Sequence, residues 1–220
     1  MEAMPARRLH LVRHGEVHNP EGVLYGRLPG YFLSERGHAM AKLAADHLST
    51  GQTARPVVRL AASPLERAQQ SAEHWADAFD LEIRTEHRII EPTNSFEGKT
   101  FEASGALTHP SAWPLLRNPF KPSWGEPYRA IAQRVRAAME DAWDELDEAD
   151  DDGDIVMVSH QSPIWIAHLD IAGKPLWHDP RKRRCQLSSI TSFARVDGRF
   201  TEVDYIEPAA SVDAIDKGAV

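Results

Sequence analysis

Apolar positions recur along this chain with two periods, and the places where one period gives way to the other mark its elements. Leu9, Leu11 and Val12 alternate with Arg8 and His10 as a short strand does over residues 7–13, and Gly15 then breaks the run. Val57, Val58, Leu60 and Ala61 give a strand over 57–62, after which Ser63-Pro64 caps and starts a helix over 64–79, with proline tolerated in the first turn. Asp154 to Ser159 reads as a buried strand, followed by the helical Ile164, Trp165, Ala167, His168 and Leu169 of a segment over 161–172. Ile131, Val135, Ala138, Met139, Ala142, Trp143 and Leu146 form one stripe of a helix over 127–148. A helix over 34–49, a short strand over 81–85 and a terminal hairpin of 187–195 and 200–206 around Asp197-Gly198 complete the order. Strands alternating with helices predict an α/β fold, a three-layer sandwich whose mostly parallel central sheet is covered by helices on both faces.

Two stretches leave this rhythm. Residues 105–127 carry Pro110, Pro114, Pro119, Pro122 and Pro127 beside Trp113, Phe120 and Trp124, which predicts an inserted cap. Residues 209–220 read as a flexible tail, leaving 1–208 as a single domain. A chain of 220 residues is within the range of one α/β core. No run is long enough to span a membrane, and the first eight residues lack the apolar segment of a secretory signal, so a cytoplasmic location is expected. Cys185 is the single cysteine, which excludes an internal disulfide framework.

The net charge of −8 argues against a nucleic-acid partner. It is unevenly placed: residues 140–154 hold ten acids and no Lys or Arg, leaving the rest of the chain at +2. Those acids read as the solvated face of the helix over 127–148 and the loop after it, in preference to a metal site. Arg181-Lys182-Arg183-Arg184 reads likewise as a solvated turn in preference to an anion site. Among eleven histidines only His10, His14 and His18 cluster, and strand spacing puts His10 and His14 about 13 Å apart, too far to share an ion.

Chemistry gathers at strand ends. Arg13 and His14 stand where the first strand meets Gly15, whose small size lets the backbone turn and approach a ligand at the carboxyl edge of a sheet. Arg67 falls in the first turns of the helix after the second strand, His160 ends the strand over 154–159, and Glu91 follows Ile89-Ile90. Arg13-His14-Gly15-Glu16, Leu33-Ser34-Glu35-Arg36-Gly37, Ser63-Pro64-Leu65-Glu66-Arg67-Ala68 and Val158-Ser159-His160 together resemble the histidine phosphatase superfamily, which includes the cofactor-dependent phosphoglycerate mutases. The matching segments run in the family's order from about residue 8 to residue 170.

The resemblance implies a phosphoglycerate mutase-like fold and a metal-free site with no cofactor. A phosphomonoester is dianionic, and Arg13, Arg67 and His160 would neutralise it, with Asn19 reaching the phosphate from the following loop. His14 is the implied nucleophile, kept unprotonated by the surrounding cations. Glu91 is the implied proton donor and later the base that activates water. Glu16 and Glu97 compete for that role. Gln161 stands after His160 where family members commonly carry glycine.

In the resembled family, segments such as the cap cover the active site, which makes Trp113, Arg117, Lys121 and Trp124 specificity candidates. Tyr25, Arg27 and Tyr31 are placed to form the opposite wall. Glu91-Pro92-Thr93-Asn94 replaces the stretch that follows the acid in the mutases, a glutamate followed by arginine, histidine and tyrosine, so the preferred reading is a phosphatase acting on a small phosphorylated metabolite. A mutase-type phosphotransferase is the alternative, and a noncatalytic phospholigand-binding module a third. No membrane partner is expected, and a homodimer is left open.

Overall fold

A computed structural model describes residues 6–50, 55–95, 97–100 and 125–216 of the chain. The elements follow in the order β1 (Leu9–Arg13), α1 (Glu35–Thr50), β2 (Val57–Ala62), α2 (Glu66–Phe79), β3 (Ile83–Thr85), α3 (Tyr128–Glu148), β4 (Asp154–Ser159), α4 (Gln161–Ile171), β5 (Ile190–Val196) and β6 (Arg199–Ile206), with single 3₁₀ turns at His87–Ile89 and Pro180–Lys182. They build one six-stranded sheet in the order β3-β2-β4-β1-β5-β6. The first four strands of that order run parallel, and the β5–β6 hairpin adds two antiparallel strands at the β1 side.

Period-two alternation sorts the side chains between two faces. Leu9 and Leu11 of β1 join Ile155 and Met157 of β4 in a core with α3 and α4, whereas Val12, Val156, Val158, Leu60 and Ala62 pack on the other side against α1 and α2. The predicted stripe from Ile131 to Leu146 is buried throughout. Each fully buried Leu, Ile or Val contributes about 1.5–3 kcal/mol. Helices therefore cover both faces, the three-layer α/β arrangement the alternating pattern predicts. None of the described helices is long and apolar enough to cross a membrane.

Local chemistry fixes the ends. Ser34 Oγ accepts from the Gly37 amide at 3.0 Å and caps the start of α1. At α2 the expected cap differs: Leu65 occupies that position without a side-chain bond, and Ser63 is directed elsewhere, as described below. The Asp197-Gly198 turn takes positive φ at both residues, 50° and 74°, which joins Val196 to Arg199 in a tight hairpin as the dipeptide predicts.

Most of the acidic run lies on the exposed face expected of it, and several of its acids pair there with basic side chains. Arg59 and Arg84 both pair with Glu145, Arg88 pairs with Asp141 and Arg195 with Asp144. Asp154 is buried, accepting from the Arg8 amide at 2.8 Å and Arg55 Nε at 2.9 Å, with His10 Nε2 at 3.4 Å. His10 Nδ1 in turn meets Ser192 Oγ at 2.8 Å, so the network ties the start of β4 to β1 and β5.

The segment expected as a loose tail is seated through residue 216. Ala209 is buried with Met40 and Leu187, and Val212 and Ala214 pack on them. Arg36 Nη1 then donates to Asp213 O at 2.8 Å and the Ile215 amide to Glu16 Oε2 at 2.6 Å, which leads the chain back to the end of β1. Of the cap expected over 105–127, only 125–127 lie within the described residues.

Candidate active site

Three neighbouring parallel strands deliver the site at their carboxyl ends. Arg13 lies opposite Ser159 in the β1–β4 register, and the His14 amide donates to Ser159 O at 3.1 Å, so His14 and His160 leave adjacent strands at one level. Their rings stand 5.2 Å apart at 60°. On the other side of β4, the Ser63 amide donates to Val158 O at 2.9 Å as the chain leaves β2, and α2 then brings Arg67 over the sheet edge. Gly15 allows this assembly by close approach: a Cβ there would lie 2.2 Å from Gly37 O at the entry to α1. Its amide is held at 3.1 Å by Ser71 Oγ, which also bonds Arg67 O.

His14 is buried, and its Nδ1 lies 2.8 Å from Gly15 O. A carbonyl only accepts, so Nδ1 carries the proton and Nε2 keeps its lone pair. Arg67 Nε donates to that Nε2 at 3.3 Å. Burial, followed by the charges of Arg67 and Arg13, holds His14 well below the ordinary histidine range.

The cations are rigidly placed. Arg13 is fully buried, donating from Nη1 to Cys185 O at 2.7 Å and from Nη2 to Asp216 Oδ1 at 2.8 Å. Arg67 Nη2 donates to Gly26 O at 2.7 Å, and the guanidinium carbon sits 4.7 Å from the centre of the Tyr25 ring. Tyr25 is buried and packs on Tyr31 with centroids 5.1 Å apart. Burial pushes its hydroxyl up to about 12.

His160 differs from the cation expected of it. Its Nε2 lies 2.7 Å from Ser63 Oγ, and burial, then Arg67, His14 and Arg13, holds it well below the ordinary histidine range. Burial and these neighbouring charges disfavour its protonated form, so the fixed positive charge lies on the two arginines. Asn19 braces its own loop, giving Nδ2 to Val23 O at 2.8 Å and accepting from the Val23 amide at 3.0 Å.

The three competing carboxylates are sorted by their partners. Glu16 accepts from Ser34 Oγ at 2.6 Å and from the Ile215 amide at 2.6 Å, with Arg36 Nε at 3.3 Å, so both its oxygens secure the α1 entry and the C-terminal segment. Glu97 Oε1 accepts from the Asn94 amide at 3.1 Å and closes a turn beneath Gly26. Glu91 is 6% exposed, and its Oε2 is buried without a hydrogen-bond partner among the described residues. Burial raises its carboxyl above the ordinary range against the opposing pull of Arg67, Arg183, Arg13 and Arg134. Arg27 Nε donates to the Glu91 carbonyl, and Arg27 Nη2 lies 3.5 Å from Glu126 Oε2.

Arg67 Nη1 and His160 Nδ1 are likewise buried without partners among the described residues. Buried polar atoms are nearly always bonded, so three such atoms on neighbouring residues mark where a polar ligand belongs. Trp113, Arg117, Lys121 and Trp124 lie outside the described residues. Sequence reasoning missed Ser63 as the partner of His160, Asp216 as the partner of Arg13, and Arg183. The last is 7% exposed and bonded to His178 and Gln161, unlike the solvated turn expected of residues 181–184.

Residues 9–207 match the family model described as histidine phosphatase superfamily (branch 1). The uncharacterised protein Rv0525 of Mycobacterium tuberculosis is 47% identical over 207 residues, covering 92% of this chain and 97% of that one. Phosphoserine phosphatase 1 of Hydrogenobacter thermophilus is 30% identical over 179 residues, 77% of this chain and 78% of the relative. Among solved structures, the mycobacterial glucosyl-3-phosphoglycerate phosphatase Rv2419c complexed with VO3 aligns with a TM-score of 0.73 at 25% identity, over 90% of this chain and 98% of that one. The family match extends across the whole sheet and takes in Arg13, His14, Arg67, Glu91 and His160: this chain belongs to the histidine phosphatase superfamily.

Proposed function

We propose that the protein is a phosphatase that hydrolyses a small phosphomonoester without a metal ion, through a phosphohistidine on His14. The observation that carries this reading is the tautomer of His14, with Nδ1–H committed to Gly15 O and a lone pair at Nε2 beside Arg67. A phosphoryl group seats against Arg13 and Arg67 Nη1. His160 Nε2 lies 2.7 Å from Ser63 Oγ, and in the tautomer that accepts from this hydroxyl its Nδ1–H is a further donor to a phosphoryl oxygen. Fixed donors of this kind stabilise the charge that spreads over the phosphoryl oxygens in the transition state.

The His14 Nε2 lone pair bonds to phosphorus as the ester P–O bond breaks. The electron pair leaves on the ester oxygen, which takes the proton of Glu91 and departs as an alcohol. Water then gives a proton to the Glu91 carboxylate as its oxygen bonds to phosphorus. The P–N pair returns to Nε2, and inorganic phosphate is released with Glu91 protonated again. The raised carboxyl of Glu91 and the lowered imidazole of His14 supply the acid and the nucleophile in the forms this sequence needs.

A phosphoserine phosphatase and a glucosyl-3-phosphoglycerate phosphatase among the similar proteins support hydrolysis over the mutase alternative. Turnover of p-nitrophenyl phosphate tests the reading: activity is expected to persist in excess chelator, and its loss there overturns the metal-free mechanism. Interconversion of phosphoglycerates dependent on bisphosphoglycerate would replace hydrolysis by the mutase alternative.

A further inference from the structure

We infer that Ser63 is a positioning residue for His160: its hydroxyl donates to Nε2 and commits the ring to the tautomer that offers Nδ1–H to a bound phosphoryl oxygen. The inference rests on the phosphate seat proposed above and adds the residue that keeps one of its donors in the right form.

Ser63 stands where the sequence expects a helix cap, yet α2 starts behind Leu65 without a side-chain cap. A serine in the capping position would add to the stability of the helix. The backbone of Ser63 is tied instead to the end of β4 and to α2, with its amide donating to Val158 O at 2.9 Å and its carbonyl accepting from Gln69 Nε2 at 2.8 Å. Its Oγ rests 2.7 Å from His160 Nε2, and the two residues are buried, at 0% and 1% exposure.

Two directions fit that contact, and they differ in which donor is left idle. Burial and the neighbouring cations disfavour the protonated ring, so His160 has one N–H to place. With the proton on Nε2, the imidazole donates to Ser63 and the hydroxyl proton is idle, because His160 is the sole partner of Ser63 Oγ among the described residues. With the proton on Nδ1, Ser63 donates to Nε2 and the idle donor is Nδ1–H, which has no partner among those residues. An oxyanion separates the two. In the second arrangement it accepts from Nδ1–H, and every donor of the pair is used. In the first it meets the Nδ1 lone pair, and the Ser63 proton stays buried without an acceptor, which is the costlier outcome. Arg67 Nη1, also buried without a partner among the described residues, is the donor that acts with Nδ1–H.

Different neighbours thus set the two imidazoles of the site. Gly15 O, which only accepts, puts the proton of His14 on Nδ1 and leaves Nε2 to attack. The Ser63 hydroxyl, which has a proton to give, holds Nε2 of His160 as an acceptor and leaves Nδ1–H to bind.

The test is NMR of the protein labelled at its histidine ring nitrogens and saturated with inorganic phosphate, with the His160 signals identified by their loss in His160→Gln. The intact protein is expected to show a protonated Nδ1 and a lone-pair Nε2 on His160, and that spectrum decides the tautomer without any change at Ser63. Ser63→Ala is expected to shift both nitrogens toward the averaged values of exchanging tautomers and to weaken inhibition by phosphate roughly tenfold, the scale of one hydrogen bond. Ser63→Thr, which keeps the hydroxyl, is expected to retain the pattern of the intact protein. A proton on Nε2 in the phosphate complex overturns the inference, as do His160 signals that Ser63→Ala leaves unmoved, and the phosphatase reading survives either result. Failure of phosphate to bind the intact protein removes the seat itself and the inference with it.

Discussion

Asp216 sets a carboxylate oxygen 2.8 Å from Nη2 of Arg13, although 203 residues separate the two in the chain. A carboxylate at an arginine proposed to bind phosphate opposes the approach of a dianion. The Asp216 side chain is 32% exposed, so solvent screens the repulsion to about 1 kcal/mol. Asp216→Asn is therefore expected to tighten inhibition by inorganic phosphate or vanadate by roughly fivefold while leaving kcat close to that of the intact protein. Weaker inhibition in the variant would mean that Asp216 chiefly orients Arg13.

Arg67 acts on His14 in two ways, as a donor at 3.3 Å and as one of the charges that keep the imidazole neutral. Arg67→Gln is expected to lower kcat by about 10²–10³, the scale for removing one donor from developing charge. It should also move the acid limb of the pH profile toward higher pH, because the imidazole loses a repelling cation. A fall in rate with no movement of that limb would remove the electrostatic part of the role.

For Glu91 the sign of the pH effect is set by the two opposed shifts. His14 must be neutral, which its lowered value extends to acid pH, and Glu91 must be protonated, which its raised value extends upward from the carboxylate range. The first step thus follows a bell whose alkaline limb belongs to Glu91. Glu91→Gln should lose that limb and about 10²-fold or more in rate on an alkyl phosphate. Read as kcat/KM, which reports phosphoryl transfer to His14 and not the later hydrolysis of the phosphoenzyme, the loss should be much smaller on p-nitrophenyl phosphate, whose leaving group departs without a proton. Equal losses on both esters would argue against proton donation.

The sheet and the centre of the site were readable in the sequence because their signals are local. Leu9, Leu11 and Val12 show the strand, Gly15 shows its break, and Ser63-Pro64 shows where the next helix brings in Arg67. The choice among Glu16, Glu91 and Glu97 was not readable, since it depends on partners such as Ile215, 199 residues from Glu16. Arg183 looks like its basic neighbours in the chain, and what sets it apart is its burial and its bonds to His178 and Gln161. Asp216 likewise lies in a polar stretch without periodicity, where only tertiary contacts fix the backbone.

Asp154 carries a prediction about stability. Burial alone would raise its carboxyl, and the bonds from His10, the Arg8 amide and Arg55 outweigh that and lower it. A lowered folded value contributes stability above the unfolded value, and that contribution is lost as pH falls through the folded one. Asp154→Ala is expected to cost about 3 kcal/mol at neutral pH, since it leaves Arg55 buried without this partner. The difference from the intact protein should shrink below about pH 4. Denaturant titrations at the two pH values check both statements, and a pH-independent difference would contradict the second.

The phosphoenzyme is the most direct test of the central claim. The protein is mixed rapidly with a phosphomonoester labelled at phosphorus and quenched in base, and the labelled peptide is identified. The account predicts a label stable to alkali, lost in acid, located on His14 and absent from folded His14→Ala. Undiminished labelling of His14→Ala, or hydrolysis of the ester with no label at His14, would contradict it.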